Sequence, residues 1–315
     1  MAQQPATVGI CHPDWRGIRA AAYGQLDHVL EVPEVVDERH AERLTRFLLD
    51  CGTSRVVING YPENIDLLPE TLARLAPSIR TYFVYHGAPA AAAAEMHLLQ
   101  RMLELSRERK VAKVGLVKDG LAEFFRQQGY RAEHVMNVAR MPVQAITAPT
   151  PASGTQIGIF SPTVLHKNVA TQIMAALMVP DAVVHLCDEP GLAFLRQDDP
   201  RLRVHGILPH PEFMSLLSTM HASLYVSLVE CYPMTVLESF FSGVLCLTSH
   251  TSVIFDRSPE LFDALVVTAH DNPAAITRKL MAALERRQEL VGKAQTYLIE
   301  QNALAERRFE EFLGT

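Results

Sequence analysis

Short apolar runs alternate with segments of helical period along almost the whole chain. A-T-V-G-I-C (6–11), R-V-V-I-N-G (55–60), T-Y-F-V-Y-H-G (81–87), K-V-G-L-V (113–117) and H-V-M-N-V (134–138) read as buried strands. Between them A-A-A-Y-G-Q (20–25), residues 40–50, Pro69 to Leu75, Ala91 to Arg109 and Leu121 to Gln128 read as helices. In the second of these, Leu44, Phe47 and Leu48 form the expected apolar face. T-A-P-T-P-A-S-G-T (147–155) breaks the pattern with linker residues. Alternation then resumes, with strands at 156–160, 182–187, 202–206, 223–228 and 244–248. Helices are expected over Asn168 to Leu177, Glu212 to Met220, from about Thr235, and through the charged tail from about Pro273.

Strands that are apolar throughout, alternating with helices, predict parallel sheets covered on both faces. Two such blocks around a linker predict an α/β chain of two doubly wound, Rossmann-like domains, 1–148 and 155–297, facing each other. Ligands in such sheets lie at the carboxyl ends of strands. That rule singles out His86-Gly87, Asn137, Ser161 and the turn from Ser227 to Glu230.

The stretch S-L-V-E-C-Y-P-M-T-V-L-E-S-F-F-S-G-V-L-C-L (227–247) is among the most apolar, yet it holds Glu230 and Glu238. Glu230 falls on the loop after a strand, and Glu238 one turn into the next helix. The backbone N–H groups from Tyr232 through Pro233, Met234 and Thr235 to Val236 mark a helix N-terminus, where an anion is favoured. A phosphate bound there, flanked by two acids able to accept hydrogen bonds from hydroxyls, matches a nucleotide-diphosphate sugar. A solvated loop acid and a partly exposed helix acid fit the same spacing.

Composition narrows the partners. The net charge of −6 leaves no basic footprint for nucleic acid. Residues 1–150 carry 17 basic and 17 acidic side chains, and the remainder 12 and 18, so a polyanion would meet the first half. There, Arg101, Arg107, Arg109, Lys110, Lys113 and Lys118 form either a solvated face or an acceptor or membrane-surface patch. Cys11, Cys51, Cys187, Cys231 and Cys246 show no C-x-x-C spacing, as expected of reduced, mostly buried thiols. No metal-ligand spacing stands out among the 13 histidines. The start of the chain has no signal-peptide pattern, and no uncharged apolar stretch is long enough to span a bilayer, so the expected location is the cytoplasm.

E-C-Y-P-M-T-V-L-E (230–238) resembles the E-x7-E motif of retaining glycosyltransferases of the GT-B fold, particularly the large family-four group (glycosyl transferases group 1). The resemblance spans about fifty residues, because V-H-G-I-L-P-H-P-E-F-M-S-L-L-S-T-M-H-A-S-L-Y-V-S-L before the motif and S-F-F-S-G-V-L-C-L-T-S after it are similar too. Y-H-G (85–87), V-M-N-V-A-R-M-P (135–142) and I-F-S-P-T-V-L-H-K-N-V (159–169) extend it.

The resemblance implies a hexosyltransferase whose two domains face across a cleft. It gives Glu230 to the donor sugar's hydroxyls, Glu238 to the nucleotide ribose, Lys167 to the diphosphate and His86 to the donor sugar. The family usually has an arginine shortly after the first strand of the second domain; here stand Ser161 and Pro162, so that Lys167 acts alone or with Arg196 or another base. Paired glycines after the very first strand are common in the family; here there is Gly17, between Arg16 and Arg19, which either approaches a phosphate or is an ordinary turn glycine. Residues 298–315 would form a helix crossing back to the first domain, anchored by Leu304, Phe309, Phe312 and Leu313.

The implied donor is a UDP-sugar, with a GDP-sugar or another nucleotide-sugar as alternatives, and no metal or other cofactor is implied. The implied acceptor is a hydroxyl of a glycan, a lipid-linked sugar or a small molecule, with retention ascribed to front-face attack. Two other readings keep the fold: transfer to modified bases of DNA, which needs a basic groove, and a non-catalytic nucleotide- or glycan-binding module.

Overall fold

The computed structural model describes residues 6–90, 95–140, 153–192 and 199–314. Most of the expected linker, the expected start of the helix at Ala91, and Arg196 lie outside the described residues. The chain divides into two compact units, one running to Ala139 and resuming at Asn302, the other from Arg140 to Gln301.

The first unit contains β1 (Ala6–Cys11), α1 (Arg16–Gln25), β2 (His28–Glu31), α2 (Glu38–Asp50), β3 (Thr53–Asn59), α3 (Leu67–Leu75), β4 (Arg80–Tyr85), α4 (Met96–Arg107), β5 (Lys113–Leu116), α5 (Leu121–Gln127) and β6 (Ala132–His134). Its sheet is parallel, in the order β2-β1-β3-β4-β5-β6. Val56, Val57, Ile58, Phe83 and Val84 on the central strands are fully buried, as a sheet covered on both faces requires. In α2, Asp37 caps the first turn by accepting a hydrogen bond from the His40 N–H. The buried stripe of α2 is Ala41, Thr45 and Leu48, whereas Phe47 is exposed. Phe47 stands about 100° round the helix from Leu48, beyond the edge of that stripe.

The strand expected at 134–138 is displaced: β6 ends at His134, and Val135 to Ala139 run buried without a ladder. The Val135 N–H still donates to the Leu116 carbonyl (3.2 Å), and beyond it side chains take over two of the carbonyls. Gln25 Nε2 donates to the Met136 carbonyl (2.9 Å) and Asn302 Nδ2 to that of Ala139 (2.8 Å). The segment lies so close to α1 that a Cβ on Gly24 would sit 1.8 Å from the Val138 oxygen.

The second unit contains β7 (Thr155–Ile159), α6 (Val169–Leu177), β8 (Ala182–Leu186), β9 (Leu202–Val204), α7 (His210–Leu217), β10 (Ala222–Tyr225), α8 (Met234–Phe241), β11 (Leu245–Ser249), α9 (Pro259–Leu265), β12 (Val266–Val267) and α10 (Pro273–Glu285). Its parallel sheet has the order β12-β11-β10-β7-β8-β9. Ile157, Ile159, Val184, Leu224 and Leu247 fill it, and Phe240 of α8 packs edge-on against Phe255. The final helix, α11 (Arg287–Leu313), places Leu290, Ala294 and Leu298 in the core of this unit. Its residues from Asn302 onward belong to the first unit. There Phe312 is fully buried, its ring edge-on to Tyr82 at 5.2 Å, and Tyr82 Oη donates to the Leu313 carbonyl (3.0 Å).

Candidate nucleotide-sugar site

In the second sheet the chain builds outward from β7 to β8 and β9 on one side, and from β10 to β11 and β12 on the other. The order reverses between β7 and β10, and a crevice opens beyond the carboxyl ends of strands at such a reversal. Two loops reach this point. One follows β7 and carries Ser161 to Asn168; the other follows β10 and carries Val226 to Pro233.

Lys167 ends a single 3-10 turn, Leu165–Lys167, just before α6. It stands immediately ahead of the helix expected from Asn168, in the preceding turn. Its Nζ donates to Tyr225 Oη (2.9 Å) and pairs with the Glu230 carboxylate. Both members of the ion pair are largely buried, with side-chain exposures of 17% and 10%. Burial opposes the charge of Lys167, but Tyr225 and Glu230 outweigh it and hold the ammonium above the ordinary lysine range. Burial, and then the Glu230 charge, raise the Tyr225 hydroxyl well beyond its ordinary range, so it remains protonated.

Two residues fix this cluster. Asn168 adopts a left-handed conformation (φ 55°), which asparagine tolerates better than most side chains. Its Nδ2 donates to the carbonyls of Val226 (3.0 Å) and His270 (2.6 Å). Gln172 accepts from the Val226 N–H (2.8 Å) and donates to the Lys167 carbonyl (2.7 Å). The Leu228 N–H donates to the His166 carbonyl (2.8 Å), tying the two loops together.

Glu238 lies on α8, more deeply buried than a partly exposed helix acid would be, at 8% exposure. Its Oε1 accepts from Nε2 of His210, the first residue of α7, at 2.9 Å. The start of α8 departs in detail from the expected run of donors. Pro233 occupies the cap position and has no N–H, and the Val236 N–H donates to the Pro233 carbonyl (3.3 Å). Met234 and Thr235 begin the helix, with no side-chain cap and no acidic residue in the first turn. Tyr232, Pro233 and Met234 are buried there, and Thr235 is half-buried.

Ser161, two residues beyond β7, has a buried hydroxyl without a hydrogen-bond partner. The sequence pattern pointed to Ser161, Lys167, Glu230 and Glu238, but not to Tyr225, Asn168, Gln172 or His210. The asparagine at the start of a predicted helix was the one available signal among these.

In the first unit, His86 stands just beyond β4. Its Nε2 donates to Oδ1 of Asn59, the last residue of β3, at 3.2 Å. Burial lowers its pKa to about 4 against a weaker opposing effect of a hydrogen bond with Asn137, so the imidazole is neutral at pH 7. Gly17 is not a loop glycine. It lies in the first turn of α1, exposed, with no positive φ and nothing within 4 Å of an added Cβ. Arg19 is held by the Pro13 carbonyl (2.7 Å), and Arg16 is exposed.

Three of the basic set form ion pairs. Arg101 engages Asp66 and Glu70, Lys110 engages Glu70 and Glu108, and Lys113 engages Glu133 (2.6 Å), while Arg107 lies over the Tyr130 ring. Cys11, Cys187, Cys231 and Cys246 are buried and Cys51 is exposed, none of them in a disulfide. Among the described residues no group of three or more His, Cys, Asp or Glu is arranged to hold a metal ion, and no helix is long and apolar enough to cross a membrane.

Neither a protein-family model nor a curated protein sequence matches the chain. Solved structures do. HepE from Anabaena, in complex with UDP and glucose, superposes over 99% of this chain and 100% of its own, with a TM-score of 0.70 at 12% identity. The same protein with UDP-glucose gives a TM-score of 0.67 at 12% identity, over 98% of this chain and 99% of its own. A glycosyltransferase from Rickettsia africae covers 99% of both chains, with a TM-score of 0.62 at 11% identity. These neighbours are GT-B glycosyltransferases, and the chain has their fold: two Rossmann-like α/β units.

Proposed function

We propose that this chain is a retaining glycosyltransferase that moves a hexose from a nucleotide-diphosphate sugar to an acceptor hydroxyl. The carrying observation is the Lys167–Tyr225–Glu230 cluster at the strand-order reversal of the second sheet, ahead of the uncapped start of α8. A UDP-sugar is the first donor to test, because HepE of the same fold binds UDP and UDP-glucose.

The roles that the resemblance implies suit this geometry. An anion arriving at Lys167 meets an ammonium whose charge is already shared with Glu230. The diphosphate takes over that charge, and the Met234 and Thr235 amides add the positive end of α8. Glu230 is thereby freed to accept hydrogen bonds from hydroxyls of the donor sugar. Glu238, held by His210, accepts from the ribose hydroxyls. As the glycosidic bond breaks, negative charge grows on the leaving diphosphate, where these preorganised donors act most strongly. His86 of the first unit, with a pKa of about 4, is a weak base, ill suited to proton abstraction at pH 7. The leaving diphosphate would take the acceptor proton on the same face as attack, giving retention.

A thermal-shift screen of UDP-, GDP- and ADP-sugars tests donor binding, since a ligand of the folded state raises its melting temperature. Product analysis by NMR with a positive donor then reads the anomeric configuration. No shift with any nucleotide-sugar, or an inverted product, would overturn the corresponding part of the proposal.

A further inference from the structure

Among the described residues of the second unit three hydroxyls are buried with no hydrogen-bond partner; one, Ser242 Oγ, stands at the end of α8, and the other two are Ser161 Oγ and Ser227 Oγ, on residues 2% and 0% exposed. Buried polar groups are nearly always paired, so an unpaired one calls for an explanation. Both sit just past the carboxyl ends of adjacent strands, Ser161 after β7 and Ser227 after β10. The ladder pairs Ala222 with Ile157 and Ser223 with Gly158. Continued along both chains, that register sets Val226 level with Ser161, and Ser227 is the next residue. The two hydroxyl-bearing residues therefore flank the strand-order reversal.

The charge available there is limited. Segment 160–166 contains no lysine or arginine, and the ammonium of Lys167 is paired with Glu230. The start of α8 is buried and uncapped. Hydrogen-bond donors without a partner thus stand where cations are few.

We infer that Ser161 and Ser227 are diphosphate-binding residues, donating their hydroxyls to the oxygens of a nucleoside diphosphate. The inference rests on the proposed nucleotide-sugar reading and extends it. Among the described residues the subsite is built from neutral donors, two hydroxyls and the first amides of α8, with Lys167 as its shared cation. Its grip on the diphosphate is directional more than ionic, so affinity falls only weakly as salt rises.

Ser161→Ala and Ser227→Ala separate this role from a structural one. A hydroxyl that supports the fold lowers the melting temperature of the free protein when removed. An unpaired buried hydroxyl does not, and its loss leaves the free protein unchanged or more stable. Titration of UDP and of GDP by calorimetry, at low and high salt, supplies the second readout. The expected result is at least about tenfold weaker binding of the preferred nucleotide in each variant, with an unchanged or higher melting temperature of the free chain. Wild-type affinity in both variants overturns the inference and leaves the nucleotide-sugar reading standing. A lowered melting temperature with wild-type affinity likewise assigns the serines to the fold. Failure of the wild type to bind either nucleotide overturns both.

Discussion

Lys167 and Glu230, 63 residues apart in sequence, form an ion pair in the second unit, with Tyr225 Oη as a further acceptor for the ammonium. A buried pair of this kind adds little net stability, but removing one partner strands the other. Lys167→Met should therefore destabilise the chain by about 3 kcal/mol and abolish detectable donor binding. The double variant Lys167→Met/Glu230→Gln should recover most of the stability and none of the binding. Denaturant midpoints and UDP titrations on wild type, the single variant and the double variant check both halves. Recovery of binding in the double variant would remove Lys167 from the diphosphate site.

Glu238 offers the opposite balance. Its partner His210 keeps 53% of its side chain exposed and can be hydrated when the carboxylate is gone. Glu238→Ala should thus fold normally and bind the nucleotide-sugar at least about tenfold more weakly. A deoxy-ribose donor analogue should show no further loss in this variant if the carboxylate serves the ribose. Equal affinity of variant and wild type would exclude the role.

Asn168 joins backbone conformation to site geometry. Its φ of 55° and its two carbonyl partners hold the turn that presents Lys167. Asn168→Ala loses both hydrogen bonds and keeps the left-handed strain, for a cost of about 2–4 kcal/mol. Asn168→Gly relieves the strain and should be about 1 kcal/mol more stable than the alanine variant. Both should bind donor more weakly than wild type, because the lost amide contacts are common to both. Chemical denaturation and calorimetry of the pair give the ordering.

The parts of the site visible in the sequence are those set by local spacing. Glu230 and Glu238 lie on either side of a strand-to-helix turn, and apolar strands such as β3, β4 and β11 announce themselves by runs that no surface would carry. Their partners were not visible, because a chain path fixes them: Tyr225 and Lys167 are 58 residues apart, and His210 and Glu238 are 28 apart. The same cause displaced a strand. Residues 135–138 are apolar enough for β structure, but beyond Val135 the segment is held by side chains remote in sequence, Gln25 on the Met136 carbonyl and Asn302 on Ala139. The edge strands β2 and β12 escaped notice because H-V-L-E and V-V are too short to show a period.

Acid should weaken the fold through its neutral histidines. Burial lowers both His86 and His185 to about 4, and for His185 the neighbouring His205 and Arg203 add to the effect. The unfolded chain protonates both near the ordinary value of about 6.5, so between that pH and about 4 it binds more protons than the folded chain. Stability contributed by these groups is complete above about pH 6.5 and is lost progressively as the pH falls toward 4. His185 Nε2 also donates to Gln156 Oε1 at 2.8 Å, so His185→Gln should lower stability at pH 8 and flatten the acid slope. Denaturant midpoints from pH 8 to pH 4 measure both, and an unchanged slope in the variant would assign the acid sensitivity to other groups.

The end of α11 makes a last prediction about the first unit alone. Phe309, Phe312 and Leu313 are buried in that unit, and Phe312 also lies 3.2 Å from where a Cβ on Gly115 would stand. Lys113 Nζ donates to the Glu311 carbonyl (3.2 Å), and Asn302 closes the backbone of Ala139 on both its N–H and its carbonyl. Phe312→Ala removes a fully buried aromatic ring from β4 and β5 and should cost about 3–5 kcal/mol. Deletion of Asn302–Thr315 should unfold the first unit at lower denaturant than the second and yield two transitions, because the second unit keeps its own core. UDP binding, proposed for the second unit, should survive both changes within about threefold. Denaturation followed by far-ultraviolet circular dichroism, together with UDP titration, checks both. A single unshifted transition in the truncated chain would show that the segment is dispensable for the fold.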